Sequence, residues 1–330
     1  MSLVRRALAA TAAAGALVAA SATFAAAADK ITFGTNWVAQ AEHGGYYQAV
    51  VGGLYAAAGI DVTIRPGGPR IDNAQLLAGG ALDFAIVSNS MNSLNFVEAK
   101  VPMVAVGAFF QKDPQCFMAH KGAYKSIADM KGAKVEISAG SRATYWPFLV
   151  KTFGLSDDQI RPYNFQIAPL VADKTLVQQG YITVSGYQAA AADIDADLFH
   201  FFDYGWSSYS AIMTTSQKLV DENPDLVKRF MDATIKGWYA YLHGDPSKAD
   251  AMILQHNPDY TQKKLDESRA AMKQFGIVEA ADTATMGIGA MTDARWKDFY
   301  DKMVASGLYK ADLDYKKAYT LAFVNKKVGM

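Results

Sequence analysis

The sequence predicts an α/β protein of two lobes, each built on a largely parallel sheet, with a cleft between them. Three observations carry this. Short apolar or alternating runs that end in small polar residues take turns with helical stretches from residue 31 onward. The same order of elements begins again after about residue 112. The length, 330 residues, suits about two domains.

The folded elements are expected only after residue 28. Arg5 and Arg6, an Ala/Leu/Val run from Ala7 to Ala20, and Ala26-Ala27-Ala28 together have the layout of a secretory signal peptide over residues 1–28. The apolar run is too short and too rich in alanine for a spanning helix. Removing 28 of 330 residues leaves 302, and the loss of two arginines turns a balance of 32 basic and 32 acidic residues into a formal charge of −2. The expected location is the periplasm.

Ile31–Gly34 reads as a strand that opens into Thr35-Asn36-Trp37. From about Gly45 to Ala58, Tyr47, Val50, Val51, Leu54 and Tyr55 share one helical stripe, which Gly59 ends. Ile60–Ile64 alternates as a strand and runs into the loop Pro66-Gly67-Gly68-Pro69. A helix over Asp72–Leu77 stops at Gly79-Gly80; the strand Leu82–Val87 then opens into Ser88-Asn89-Ser90, and Val101–Phe110 is a further buried strand. In the second unit, Ile127–Lys131 reads as a short helix, Lys134–Ile137 as a strand, Ser138–Ser141 as a small-residue loop and Ala143–Phe153 as a helix ended by Gly154. Leu176–Gly180 echoes Leu76–Gly80, which predicts a helix with a glycine cap before a strand through Ile182. Long helices follow from Gln217. Asn223-Pro224 is a cap followed by proline at the first helical position, and Leu226, Val227, Phe230, Met231, Thr234, Ile235, Trp238 and Tyr239 recur at helical spacing. Two more helices run from about Thr261 to Phe275 and from Thr292 toward Gly307. Their aromatic and methionine stripes are expected to be core. The expected boundaries are 29–111 with 212–330 for the first lobe and 112–211 for the second, with hinges near Gln111–Gln115 and Gly205–Ala211.

Several chemistries are excluded. A neutral chain lacks the basic excess of a nucleic-acid binder. Cys116, the single cysteine, can form neither an internal disulfide nor a thiolate metal cluster. The five histidines show no metal-binding pairing, and neither a nucleophile elbow nor a P-loop is present. Asp157-Asp158 reads as the acidic first turn of a helix capped by Ser156. No catalytic residue, metal or cofactor is expected.

Polar and aromatic residues instead gather where strands end, which is where open α/β sheets bind ligands. The first loop offers Asn36, Trp37, His43 and Tyr47, and Gly68 could turn backbone N–H groups toward an anion. Ser88 and Asn89 follow the next strand. The second lobe offers Ser141, Arg142 and Tyr145, then Ser185 and Tyr187, then Tyr204. Aromatic faces with a few hydrogen-bonding groups suit a small flat molecule. Arg142 could pair with a carboxylate, sulfonate or phosphate. Each has a plain structural alternative: His43 as a cap or packing residue, Trp37 as a cover for the core, Gly68 as a simple turn, Arg142 as a solvated surface cation.

The run Asn36-Trp37-Val-Ala39-Gln40-Ala-Glu-His43-Gly-Gly45-Tyr-Tyr47-Gln-Ala49 resembles the Asp-Trp-x-Pro-Asn-x-x-His-x-Gly-x-Tyr-x-Ala pattern of pyrimidine-binding members of the nitrate/sulfonate/taurine and thiamine-pyrimidine-precursor superfamily. Trp37, His43, Gly45, Tyr47 and Ala49 match; Asn36, Ala39 and Gln40 depart. Leu77–Phe84 and the stretch from Met286 to Met330 resemble the same superfamily. The resemblance implies a periplasmic substrate-binding protein of an ABC importer. Its fold would be the two-lobe periplasmic-binding-protein fold, type II-like, with two hinge crossings. It would act as a monomer that captures a small molecule and delivers it to a permease and ATPase in the inner membrane. Relatives often carry an acid in the second-lobe loop, where this chain has Gly180–Tyr187. Its absence, with Asn36 in place of Asp, points to a neutral or anionic ligand rather than a cationic one, so the expected ligand is a small, flat heteroaromatic or anionic molecule. A sensor that reports its ligand to a membrane receptor fits the same residues. The related pyrimidine synthase needs a cysteine-rich motif that this chain lacks, so an enzyme is not expected.

Overall fold

The structure, a computed structural model, describes residues 27–68, 71–164, 166–280 and 282–330. Residues 1–26 of the expected signal peptide lie outside the described residues. Among those described, no helix is long and apolar enough to cross a membrane.

The chain forms an α/β fold of two five-stranded sheets. The first contains β1 (Asp29–Gly34), β2 (Ile60–Arg65), β3 (Phe84–Asn89), β4 (Met103–Phe110) and β10 (Ser210–Ser216), in the order β2-β1-β3-β10-β4. The second contains β5 (Gln115–His120), β6 (Val135–Ile137), β7 (Ile160–Pro162), β8 (Val177–Tyr181) and β9 (Ala196–His200), in the order β7-β6-β8-β5-β9.

The expectation of largely parallel sheets needs correction: both are mixed. β10 runs antiparallel to β3 and β4, and β5 runs antiparallel to β8 and β9. The chain leaves the first sheet at Phe110 and re-enters beside it at Ser210, which is paired with Phe110. A strand that enters at the end where its neighbour leaves must run the opposite way. The same holds where Cys116 pairs with His200 in the second sheet. The two crossings, 111–114 and 201–209, therefore lie side by side.

Two other elements differ from expectation. The single helix over 45–58 is two pieces, Gly44–Val51 and Leu54–Ala57, because Gly52-Gly53 intervenes and Gly53 is left-handed at φ +68°. Leu176–Gly180 is not a helix end, because residues 177–181 form β8, held between β6 and β5. Pairing on both sides buries Val177 and Gln178, and this outweighs the helical look of the run. Gly180 caps nothing; a Cβ there would meet the Ser185 hydroxyl at 2.2 Å.

The late helices complete the core beneath the first sheet. Asn223 caps Pro224–His243 by accepting from the Leu226 amide, and this helix buries Leu226, Val227, Phe230, Met231, Ile235 and Trp238. Phe230 stacks on Phe84 at 4.0 Å, and Trp238 meets Tyr46 edge-on at 5.4 Å. Each such ring contributes about 1.5–3 kcal/mol through burial. The helix crosses Gly44–Val51 at glycines: a Cβ on Gly45 would lie 2.2 Å from the Trp238 ring, and one on Gly237 would lie 2.3 Å from the Gly45 carbonyl. The first-loop residues are thereby anchored to a rigid crossing.

Candidate functional site

Beyond the crossings, the two units touch at several places among the described residues. The Thr183 hydroxyl donates to the Glu42 carboxyl group, joining the end of β8 to the 3-10 turn Ala41–His43. The Lys263 ammonium stands 5.9 Å from the Tyr187 ring centre. The Asn95 amide donates to the Ala143 carbonyl at 3.4 Å. A groove of about 430 Å³ runs between the units beside the first two of these contacts. One wall is Ile182, Thr183, Tyr187, Ala190 and Ala191; the other is Lys263, Glu267 and Ala271 of the helix Gln262–Gln274. A volume of this size suits a small organic molecule.

Glu42 is linked to this groove through its bond to the wall residue Thr183. It is buried, its Oε2 meets no donor among the described residues, and burial holds its pKa above the usual value against the opposing Thr183 bond. The adjacent His43 donates from Nε2 to Asn36 Oδ1 at 3.1 Å. Burial pulls the imidazole down to about 3, so it is neutral and its ring cannot serve as a cation. The Tyr181 phenol, also kept un-ionised by burial, faces Asn36 and Ser210 of the first sheet. Tyr260 lies near Glu42 on the other side. The arrangement is a set of buried hydrogen-bonding groups, the neutral His43 imidazole among them, beside tyrosine rings.

The crossings are tied by two residues. Asp113 accepts from the Trp206 indole at 2.7 Å and from the Gln115 amide at 3.2 Å, while its carbonyl accepts from His200 at 2.8 Å. Burial raises its carboxyl to about 7, with the Trp206 and Gln115 bonds working against the rise. Arg295 donates to the carbonyls of Gln111, Ser207 and Ser208, and its guanidinium lies 4.0 Å from the Tyr209 ring centre. Both crossings are thus fastened to the helix Asp293–Ala305.

Of the residues expected at a site, the structure brings Asn36 and His43 beside Glu42 and Tyr187 into the groove wall. Trp37 is half-buried beside them, its carbonyl accepting from the Gly67 amide. Gly68 lies in that loop, 3.8 Å from Val38 as judged by an added Cβ, and Gly67 is the tighter position. Ser88 and Asn89 sit at the end of β3 near the crossings; the Ser88 carbonyl accepts from Ser210, and Asn89 caps the helix Ser90–Glu98. Ser141 and Tyr145 bond to Gln179 inside the second unit, and Arg142 is exposed on the short helix beside them. Ser185 accepts from the Tyr181 amide and holds the end of β8.

Two expected residues point elsewhere. Tyr47 is fully buried, and its hydroxyl meets His256 Nδ1 at 2.9 Å inside the first unit. Tyr204 packs edge-on against Phe153 in the second unit. Gly45, Tyr47 and Ala49 of the first-loop pattern therefore serve the helix crossing. Thr183, Tyr181, Tyr260 and Asp113 were not singled out, and Glu42 was one polar residue of the first loop with no partner assigned to it. Glu42 and Thr183 lie within runs whose glycines and tyrosines drew attention, and their partnership spans 141 residues. Only Asp113, next to Pro114 at the end of an apolar strand, carried a local signal. Cys116 is buried with its thiol pushed up to about 12, which makes it a poor nucleophile.

Known proteins match this architecture. A family described as NMT1/THI5 like matches residues 40–249. The riboflavin-binding protein RibY of Chloroflexus aurantiacus is 24% identical over 310 residues, covering 89% of this chain and 86% of that protein. The ligand-binding component of an ABC-type import system from Staphylococcus aureus, solved with zinc bound, superposes with a TM-score of 0.67 at 11% identity, covering 92% of this chain and 100% of the other. The alkanesulfonate-binding protein SsuA of Xanthomonas axonopodis pv. citri, bound to MOPS, gives 0.63 at 16% identity over 88% and 98% of the two chains. The desulfurization enzyme DSZB gives 0.58 at 14% identity over 91% and 98%, so one architecture serves binding proteins and an enzyme. The structural matches establish the two-lobe periplasmic-binding-protein fold, and the profile match covers well over half the sequence: the chain belongs to the NMT1/THI5-like family.

Proposed function

We propose that the chain is an extracytoplasmic solute-binding protein that captures a small, flat heteroaromatic or anionic molecule between its units and delivers it to an ABC permease. The observation that carries this is the groove between the units, whose wall residue Thr183 bonds across to the buried Glu42. Tyr187 forms part of its wall, and Tyr181 and Tyr260 lie near Glu42. A ligand seated there touches both units, so it favours the closed arrangement by its differential affinity. Asn36, Trp37, Glu42, His43, Thr183 and Tyr187 are the residues we assign to it. The riboflavin named for RibY fits the flat class, and Lys263 at the mouth admits an anionic tail. Binding without catalysis is consistent with the inert Cys116. On this reading the lobes are 29–111 with 212–330 and 112–211, the protein is a monomer, and residues 1–28 are cleaved on export to the periplasm.

The test is calorimetry on ligand-stripped protein with riboflavin, lumichrome, a thiamine-type pyrimidine and aliphatic and aromatic sulfonates. At least one should bind with about −8 to −10 kcal/mol, a submicromolar affinity. Tyr187→Ala should weaken it at least about tenfold. Absence of binding and of any thermal shift across the whole panel would defeat the proposal.

A further inference from the structure

A second cavity, of about 480 Å³, lies against the chain crossings and apart from the groove. Gln111 and Lys112 come from one crossing and Phe202 from the other; the C-terminal end of the helix Gln262–Gln274 and Arg295 close it. Three cations line it, Lys112, Lys273 and Arg295, against one carboxylate, Asp282. Lys112 already donates to the Phe275 carbonyl at 3.0 Å and stands 5.7 Å from the Phe202 ring centre, so charge and aromatic surface adjoin. Gln111 adds an independent feature. It is 1% exposed, its amide nitrogen is committed to the Ala108 and Ala290 carbonyls, and its Oε1 meets no donor among the described residues. A buried amide oxygen without a donor is costly, and a ligand hydroxyl or amine would satisfy it.

We propose that this cavity is a second ligand site, separate from the groove, for a small aromatic carboxylate that also carries a hydroxyl or amino group. The carboxylate is held by Lys112 and Lys273, the ring lies against Phe202 and Phe275, and the hydroxyl or amine donates to Gln111 Oε1.

The probe is 4-hydroxybenzoate, titrated calorimetrically into the full chain, beside benzoate, which lacks the donor, and 4-hydroxybenzamide, which lacks the charge. The hydroxybenzoate is expected to bind with a Kd below about 1 mM, with each control at least about fivefold weaker. Lys112→Ala and Lys273→Ala, both at partly or fully exposed positions, should each weaken it about fivefold or more while leaving the Tm in place. Tyr187→Ala in the groove should leave it unchanged. The proposal is overturned if the three compounds bind alike or not at all, if the lysine variants bind as the parent does, or if Tyr187→Ala abolishes binding. Groove binding of the earlier panel is a separate readout, so either assignment can fail alone.

Discussion

Asp113 makes the stability of this protein depend on pH in a direction opposite to the usual carboxylate. Its ordinary value of 3.8 is raised to about 7 because burial penalises the charged form more than the Trp206 and Gln115 bonds favour it. Between those values the folded protein holds a proton that the unfolded chain releases. Stability from this group is therefore present at low pH and is lost as pH rises toward and through 7. At about 1.4 kcal/mol per pKa unit, integrating the two titrations from pH 5 to pH 8 gives a loss on the order of 2–3 kcal/mol. Asp113→Asn keeps an oxygen for the Trp206 indole and cannot ionise. The assay is urea unfolding of both proteins at pH 5, 6, 7 and 8, followed by tryptophan fluorescence. Comparing the two cancels the contributions of His200 and every other titrating group, provided they are unaltered. The parent should lose on the order of 2–3 kcal/mol relative to Asp113→Asn across this range. A difference between the two that does not change with pH would refute the argument.

Three further outcomes are expected. Gly67→Ala would place a Cβ 2.1 Å from the Thr35 carbonyl, so it should destabilise by about 2 kcal/mol or more, whereas Gly68→Ala, with its nearest neighbour at 3.8 Å, should stay within about 0.5 kcal/mol; differential scanning calorimetry separates them. Thr183→Val removes the donor to Glu42 between the units and should lower affinity for the groove ligand about 5- to 100-fold, measured by titration calorimetry. Arg295→Lys keeps the charge and loses the fork that reaches the carbonyls of both crossings, so the Tm should fall by about 5 °C in a thermal melt.

The fold was legible because its signals are local. Asn223-Pro224 started a helix where it does, the Leu226–Trp238 stripe was buried as its spacing required, and Ser156 and Thr292 capped the turns they precede. Strand direction was not legible, because β10 owes its orientation to the point where the chain re-enters the sheet. β8 was misread because a run of leucine, valine and glutamines before a glycine fits a helix end as well as a buried strand. The first-loop pattern gave the family, yet Gly45, Tyr47 and Ala49 spend their identity on contact with the helix Pro224–His243 and with His256. The pairing of Glu42 with Thr183 was hidden because Thr183 has no periodic or motif signature; only tertiary structure makes them partners.

The position of β10 also dictates an order of assembly. The middle of the first sheet waits for Ser210–Ser216, so a chain that emerges from its N-terminus makes β3 and β4 roughly a hundred residues before the strand that joins them. Until then each presents an open, apolar edge, of the kind that recruits foreign strands. The second sheet, contiguous from Gln115 to His200, has no such wait and can form while the first is still divided. Slow, long-range closure of the first sheet is then the expected bottleneck of folding, and the interval before it is when this protein is most exposed to aggregation.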